Sequence, residues 1–337
     1  MSSSNIEIFS TCPQSKDTSR ENYVKQVREV SQWSEEFGCK GILVYADNGL
    51  VDPWLVSQEI LKSTDRLSPL VAVQPVYMHP YTVAKMVSTF GFMYNRQIYL
   101  NMIAGGFKND LKALDDHTPH DDRYNRLTEY TSLIIDLLKG EKPVTFYGNY
   151  YKVNRLALKP KLDKNLHPGI FISGSSDAGL NAARNLNATA IQYPNRPEDL
   201  KKSLTDDPLK FGIRIGIIAR KDSDSAWQIG IERFPADREG QLTHQLAMKT
   251  SDSVWHKKLT ELSEQIDGKA SPYWLHPFEN YKTFCPYLVG SYDEVARELS
   301  QYMELGYHTF ILDIPPEREE LYHTQRAFDK AKELVTT

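Results

Sequence analysis

The chain has few of the residues that build disulfide frameworks or zinc sites. Its three cysteines, Cys12, Cys39 and Cys285, are far apart and form no Cys-x-x-Cys pair. This spacing indicates neither a disulfide framework nor a zinc site. The first residues lack a basic region followed by an apolar core, so we expect no signal peptide. No apolar run approaches the ~20 residues of a membrane span, and we expect a reducing, cytoplasmic location.

A strong charge of one sign and a flexible linker are also missing. The formal net charge is −4 and no basic stripe is visible, which argues against nucleic acid as a partner. No Pro-, Gly- or Ser-rich linker divides the 337 residues, so we expect one domain over residues 1–337. Two smaller domains on an open, doubly wound sheet are the alternative.

Short apolar runs alternate with longer amphipathic stretches along the chain. Eight of these runs read as strands that precede helices, which predicts an α/β protein with a (β/α)8 TIM barrel. The region 223–288 is longer than one connection needs, and we expect an insertion that includes a lid. A packed aromatic loop is the alternative there. The predicted strands are Ile6 to Phe9, Gly41 to Tyr45, Leu70 to Val73, Ile98 to Ile103, Ile170 to Ser173, Ala188 to Gln192, Phe211 to Ala219 and Thr309 to Leu312.

One strand end has the composition of an anion site. The run from Gly169 to Gly179 reads G-I-F-I-S-G-S-S-D-A-G, an apolar strand that enters a helix through small residues. Free amides and the positive end of a helix dipole then face one spot, which favours phosphate. In the alternative interpretation, Ser176 merely caps the helix. Barrel chemistry lies at such strand ends, which also include Asp47, Gln74, Ala104 and the segment from Asp313 to Pro316.

Several segments together resemble the bacterial-luciferase-like flavin monooxygenases, and most closely their alkanesulfonate monooxygenase branch. No single segment is specific, but six occur in the order of the family and cover most of the chain. They are Asp52-Pro53-Trp54-Leu55-Val56, Leu70-Val71-Ala72-Val73-Gln74-Pro75, Asn101-Met102-Ile103-Ala104-Gly105, His120-Asp121-Asp122-Arg123-Tyr124, Gly174-Ser175-Ser176-Asp177, and Phe211-Gly212-Ile213-Arg214 followed by Ala226-Trp227.

The resemblance implies reduced FMN (FMNH2), supplied by a separate NAD(P)H-dependent flavin reductase, and O2 as co-substrate. It also implies a homodimer or homotetramer. The implied phosphate site is Gly174, Ser175 and Ser176, with His120 and Tyr124 at the flavin tail. The positions implied near the flavin ring are Asp47, Gln74, Asn101 and Ala104, where Ala104 replaces the usual Thr or Ser.

Each of these residues also has a simpler interpretation. Tyr124 lies at helical spacing with other apolar residues and could be a core aromatic. Asp47 could form a turn. Arg214, inside an apolar strand, could bind an anion in the barrel mouth or pair outward with a helix carboxylate. His117 and His120 have no third convergent ligand, so we expect no metal site.

The chain departs from the sulfonate branch at four positions. That branch has a His two residues after the Pro closing strand one, a Cys after strand two, Arg-x-His in strand seven and a Tyr near the end of strand eight. The corresponding residues here are Ser15, Leu50, Gly216 and Pro315, and only Arg214 of the anion-binding set remains.

These departures predict a two-component monooxygenase that inserts one oxygen atom from O2 into a carbonyl-containing or acyl substrate. Without nearby acid groups, a flavin peroxide would be anionic and would attack carbonyls, and Arg214 is the one catalytic candidate. Alkanesulfonate oxidation, a deazaflavin-dependent oxidoreductase of the same fold and a non-catalytic flavin-binding protein are the alternatives.

Overall fold

The computed structural model describes residues 6–106, 108–200, 204–205, 207–250 and 271–336. The chain divides into two compact units, one of residues 1–11, 36–39 and 191–337 and the other of residues 12–35 and 40–190. We call them the first and the second unit. Among the described residues, no helix combines the length and the apolar character that a membrane crossing requires.

Strands and helices alternate through both units. The strands are β1 Glu7–Thr11, β2 Gly41–Val44, β3 Ser68–Val73, β4 Tyr99–Met102, β5 Val144–Tyr147, β6 Lys152–Leu156, β7 Gly169–Ser173, β8 Thr189–Gln192, β9 Lys210–Arg220, β10 Tyr273–Trp274, β11 Tyr287–Ser291 and β12 Tyr307–Leu312. The helices are α1 Arg20–Glu36, α2 Pro53–Ser63, α3 Pro80–Tyr94, α4 Lys108–Ala113, α5 His120–Lys139, α6 Asp177–Leu186, α7 Ser223–Arg233, α8 Arg238–Thr250, α9 His276–Glu279, α10 Tyr292–Glu304 and α11 Arg318–Thr336.

In the second unit, β2, β3, β4 and β7 lie side by side and are all parallel. Every residue of β2, β3 and β4 is buried. Strands covered on both faces are continuous apolar runs, and this is the pattern from which they were predicted. The strands β5 and β6 form a separate two-stranded sheet.

In the first unit, β12 pairs in parallel with both β1 and β9. The strand β9 has eleven residues, which is more than pairing with one neighbouring barrel strand requires. Its second half pairs in parallel with β11, with Tyr287 opposite Gly216, and β10 pairs with β11 in the antiparallel sense. The long strand thus carries a small extension of the sheet.

Eight parallel strands and their helices follow the order of a (β/α)8 barrel, so the predicted fold class is confirmed. These strands are β1, β2, β3, β4, β7, β8, β9 and β12. Each end of these strands lies within two residues of its predicted position.

The insertion predicted over 223–288 contains α7, α8, β10 and α9 and ends in β11, and its residues 251–270 lie outside the described part of the chain. Tyr273, Phe278 and Tyr287 are buried in the first unit. The packed-loop alternative therefore applies to these three aromatic residues, and a lid elsewhere in the insertion stays a prediction. The strand β11 was missed, although the Ser291-x-x-Glu294 capping box that opens α10 marks its end.

Replacing Phe310 in β12 by alanine is expected to destabilise the fold by about 3–5 kcal/mol, because the ring is fully buried against Phe328 and would leave a cavity. Phe92→Ala is the matched control, since its ring is 75% exposed and its loss is expected to change stability by less than about 0.5 kcal/mol. Urea unfolding followed by circular dichroism measures both. Equal losses would contradict the placement of Phe310 in the core.

Candidate functional site

The turn between β7 and α6, where the sequence predicts an anion site, contains a helix cap. Ser176 is the N-cap of α6, and its hydroxyl accepts a hydrogen bond from the Gly179 amide at 3.2 Å. The first main-chain bond of the helix runs from Leu180 N to Ser176 O at 2.9 Å. The amides of Asp177 and Ala178 precede it, so the helix itself supplies them no acceptor. The cap uses one amide of the turn, so it does not exclude the anion site, which stays a prediction.

Tyr124 covers this turn from the neighbouring helix α5. A Cβ added to Gly174 would lie 2.3 Å from the Tyr124 hydroxyl oxygen, so only glycine leaves room for that contact. The phenol is 8% exposed. Burial raises its pKa, and a hydrogen bond with the Ser176 side chain opposes that rise. Tyr124 is therefore both a core aromatic, as the alternative interpretation had it, and a hydroxyl group at the turn.

His120 joins the same group as the first residue of α5. Its ring lies edge-on to the Tyr124 ring, with 5.2 Å between the centroids, and its Nδ1 is 2.7 Å from an Asp121 carboxylate oxygen. The structure thus brings together four predicted residues, His120, Tyr124, Gly174 and Ser176, beside the N-terminus of α6. The side chain of Ser175 is half-buried in the same turn.

A charged anchor holds the loop that leads to His120. Arg126 of α5 donates to Asp116 at 2.6 Å, and the Thr118 hydroxyl donates to the same carboxylate at 2.6 Å. Burial raises the pKa of Asp116, but the hydrogen bonds from Arg126 and Thr118 outweigh it and lower the pKa to about 2. The main-chain oxygen of Thr118 also accepts a hydrogen bond from Arg123 at 3.0 Å. The loop is thereby fixed to the helix that carries Tyr124.

Asn101 and Ala104 lie at the end of β4, and both are buried. The Asn101 side-chain oxygen accepts a hydrogen bond from the Ser173 hydroxyl at 2.8 Å, which ties the ends of β4 and β7 together. Gly105, next to Ala104, has a positive φ of 97° and packs against Leu111. The backbone there turns in a way that favours glycine.

Asp47 and Gln74 lie near Tyr77, at the ends of β2 and β3. Asp47 is exposed, and its carboxylate accepts a hydrogen bond from the Gly49 amide at 2.8 Å, so it forms a turn. Gln74 contacts the Tyr77 hydroxyl at 3.4 Å, and this hydroxyl donates to Asn48 at 2.7 Å. Burial and then the negative charges of Asp47 and Asp110 raise the pKa of Tyr77 to about 12. Contact of Asp47 or Gln74 with a flavin ring stays a prediction.

Arg214 lies in the middle of β9 in the first unit, opposite Ile311 of β12, and is 5% exposed. Its Nη1 is 3.5 Å from the Tyr193 hydroxyl oxygen, and its Nη2 is 3.5 Å from Asp313 Oδ1. Tyr193 follows β8 and Asp313 follows β12, so the guanidinium lies where barrel strands end. The carboxylate that faces Arg214 is that of Asp313, which follows a strand. The pairing with a helix carboxylate that the sequence left open is therefore not the one observed.

Sequence reasoning missed the role of Asp313 and of the two residues that hold it. Thr283 and Tyr287 both donate hydrogen bonds to Asp313 Oδ2, at 2.6 and 2.8 Å. The only signal in the sequence was the place of Asp313 directly after a predicted strand. Cys285 lies beside Thr283, and burial raises the pKa of its thiol to about 12, so it is a poor nucleophile.

Replacing Asp116 by asparagine is expected to lower stability by about 1–2 kcal/mol near pH 7, because the charge-assisted bonds to Arg126 weaken. Its folded pKa is lowered, so this contribution is fully present above its usual pKa of 3.8 and is lost as the pH falls towards about 2. Thermal unfolding of both proteins between pH 2 and pH 7 measures it. Asp115→Asn is the matched control, since that carboxylate is exposed and is expected to change stability by less than about 0.5 kcal/mol. If the stability difference between Asp116→Asn and the native protein were as large at pH 2 as at pH 7, the ionised Asp116 carboxylate would not be its source.

Comparisons with known proteins identify the family of the chain. The family model described as luciferase-like monooxygenase matches residues 5–309. The 4-(gamma-L-glutamylamino)butanoyl-[BtrI acyl-carrier protein] monooxygenase BtrO of Niallia circulans is 34% identical over 323 residues, which cover 94% of this chain and 93% of BtrO.

Solved structures share the fold at lower identity. The long-chain alkane monooxygenase LadA has a TM-score of 0.74 at 17% identity and covers 98% of this chain and 91% of its own. An F420-dependent secondary alcohol dehydrogenase has a TM-score of 0.66 at 16% identity and covers 97% of this chain and 99% of its own. These two likenesses concern the fold alone, whereas the family match spans most of the sequence. The chain belongs to the luciferase-like monooxygenase family and is a flavin-dependent monooxygenase.

Proposed function

We propose that this protein is a two-component, FMNH2-dependent monooxygenase that inserts one oxygen atom from O2 into a carbonyl-containing or acyl substrate. The other oxygen atom leaves as water, and reduced FMN supplies the two electrons. A separate NAD(P)H-dependent reductase would deliver the reduced flavin in the cytoplasm, and the family resemblance favours a homodimer or homotetramer. The observation that carries the proposal is the glycine turn at the start of α6, covered by the Tyr124 hydroxyl.

The residues at this turn fit a phosphate group. The amides of Asp177 and Ala178, the hydroxyl of Tyr124 and the ring of His120 supply donors in one small volume. The positive end of the α6 dipole adds to their attraction for a dianion. The glycine at position 174 lets the Tyr124 hydroxyl approach the turn, where it would serve as one of these donors. Ser175 and Ser176 complete the proposed set.

The remaining site residues would orient the flavin ring and the substrate. Asn101 is fixed by Ser173 and can present its amide nitrogen, whereas Ala104 offers only an apolar surface. Asp47 and Gln74 are proposed to lie near the ring. Arg214 would donate a hydrogen bond to the substrate carbonyl oxygen and stabilise negative charge that develops on it. Asn101, Ala104 and Arg214 are buried, and this burial would keep water from the reacting atoms.

The cofactor is tested by replacing Gly174 with alanine. The added methyl group would collide with the Tyr124 hydroxyl and disturb the phosphate donors. The Kd of reduced FMN is expected to rise about 10- to 100-fold, as for the loss of charge-assisted hydrogen bonds. Anaerobic titration calorimetry with reduced FMN and reduced riboflavin measures this effect.

Reduced riboflavin has no phosphate, so its Kd is expected to change less than about 3-fold. Gly106→Ala is the matched variant, because its added methyl group meets no atom within 4 Å. An equal loss for both flavins would refute phosphate binding at this turn. Tighter binding of reduced F420 than of reduced FMN by the native protein would favour the deazaflavin alternative.

We further propose that the acyl group is presented by an acyl-carrier protein. The name of the relative BtrO describes such a substrate, and the two sequences align over almost their whole length. A second observation supports the same partner. The segment 152–164, from β6 onwards, has five cationic residues and one acidic residue, and all five cations are exposed. They are Lys152, Arg155, Lys159, Lys161 and Lys164, and a carrier with an acidic surface would dock against them.

Charge reversal tests this docking. In the double variant Arg155→Glu with Lys159→Glu, kcat/KM for a butanoyl carrier-protein thioester is expected to fall about 10-fold or more. For the same thioester on pantetheine alone it is expected to change less than about 2-fold, because no protein surface is involved. Lys25→Glu with Lys332→Glu is the control of equal charge change on other exposed sites. Equal effects of the two double variants would contradict a specific docking surface.

A further inference from the structure

The carboxylate of Asp313 compensates the positive charge of Arg214 within the first unit. One oxygen, Oδ1, faces the guanidinium at 3.5 Å. The other, Oδ2, accepts hydrogen bonds from Thr283 and Tyr287. Three elements therefore hold one carboxylate, namely the end of β12, the segment before β11, and β11 itself. Both side chains of the ion pair are largely buried, which strengthens their interaction.

Gly216 makes this arrangement possible. Its neighbour across the sheet is Tyr287, and a Cβ at position 216 would lie 2.3 Å from the Tyr287 ring. The tyrosine ring thus lies across the strand and brings its hydroxyl to Asp313. A side chain at position 216 and this placement of the ring exclude each other.

We propose that Asp313 is the specificity-determining residue that restricts the Arg214 subsite to neutral carbonyl groups. Thr283 and Tyr287 position its carboxylate, and the ring of Tyr287 has room because residue 216 is glycine. A sulfonate or carboxylate at Arg214 would lie beside the Asp313 charge and would be repelled by it. A carbonyl oxygen accepts a hydrogen bond from the guanidinium without bringing a second negative charge. This inference rests on the proposed function, since it assigns the substrate class for which Arg214 would act.

The test compares an anionic and a neutral probe of similar length on the FMN-loaded protein. The probes are 1-octanesulfonate and 2-nonanone, and titration calorimetry measures their Kd values. The native protein is expected to bind 2-nonanone at least about 10-fold more tightly than 1-octanesulfonate. In Asp313→Asn the sulfonate Kd is expected to fall about 10-fold, while the ketone Kd changes less than about 3-fold. Arg214→Gln combined with Asp313→Asn is expected to lose this gain, because the cation is gone.

Two tyrosine variants separate specificity from general disturbance of the core. Tyr287→Phe removes one donor to Asp313 and is expected to shift the ratio of the two Kd values in the same direction as Asp313→Asn, by a smaller factor. Tyr273→Phe is the matched control, since its buried hydroxyl donates to the Pro194 oxygen at 2.8 Å and does not contact Asp313. It is expected to leave the ratio unchanged.

Unchanged sulfonate affinity in Asp313→Asn would overturn the inference, and so would native protein that binds both probes equally or neither probe. Binding of reduced FMN by each variant is measured alongside. If reduced FMN does not bind the native protein, the proposed function fails, and the probe ratio measured without flavin still decides the inference about Asp313. Thermal unfolding of each variant identifies any that fails to fold, in which case Tyr287→Phe decides.

Discussion

The start of α6 is the constraint on which the proposed cofactor site depends. Main-chain amides at a helix N-terminus cannot all be satisfied by the helix, so they must find an acceptor outside it. Ser176 supplies one acceptor through its hydroxyl, and the amides of Asp177 and Ala178 have no acceptor within the helix. Because backbone position determines this donor set, the tight approach of Tyr124 to a residue without a side chain matters more than the chemistry of any one serine.

Two polar centres with different tasks result from the fold. The centre around Gly174 is rich in neutral donors beside a helix dipole, a combination that suits a charged phosphate. The centre around Arg214 contains a cation whose charge is already balanced by Asp313, a combination that suits a neutral acceptor. Each lies at the carboxyl ends of strands within its own unit, where barrels of this type place their chemistry.

Much of the fold and the local features of the candidate site could be predicted from the sequence, for a physical reason. Strands such as β3 and β7 are local apolar runs bounded by turn residues, and Gly174 with Ser176 stands directly between a strand and a helix. Local patterns of this kind do not depend on distant residues. The partner of Arg214 could not be found in this way, because Asp313 is 99 residues away and is held by Thr283 and Tyr287 from an insertion.

Other misses have different origins. The role of Asp47 was ambiguous because the same Asp-Asn-Gly sequence forms a turn whether or not a ligand lies near it, and the structure shows the turn. The strand β11 was hidden inside a region whose aromatic residues favoured a loop. Its residues Tyr287, Leu288 and Val289 form a short buried apolar run like those of the predicted strands, so the miss came from assigning the whole region to a loop.

The shared strand β9 has a consequence for the dynamics of the molecule. It pairs with β12 along its first half and with β11 along its second half, so neighbouring strands accompany it over most of its length. Amide protons in such a strand exchange with solvent only when the whole cooperative unit opens. The backbone around Arg214 and Gly216 should therefore be among the slowest segments to take up deuterium. The same strand pairing gives the buried arginine a rigid support during turnover.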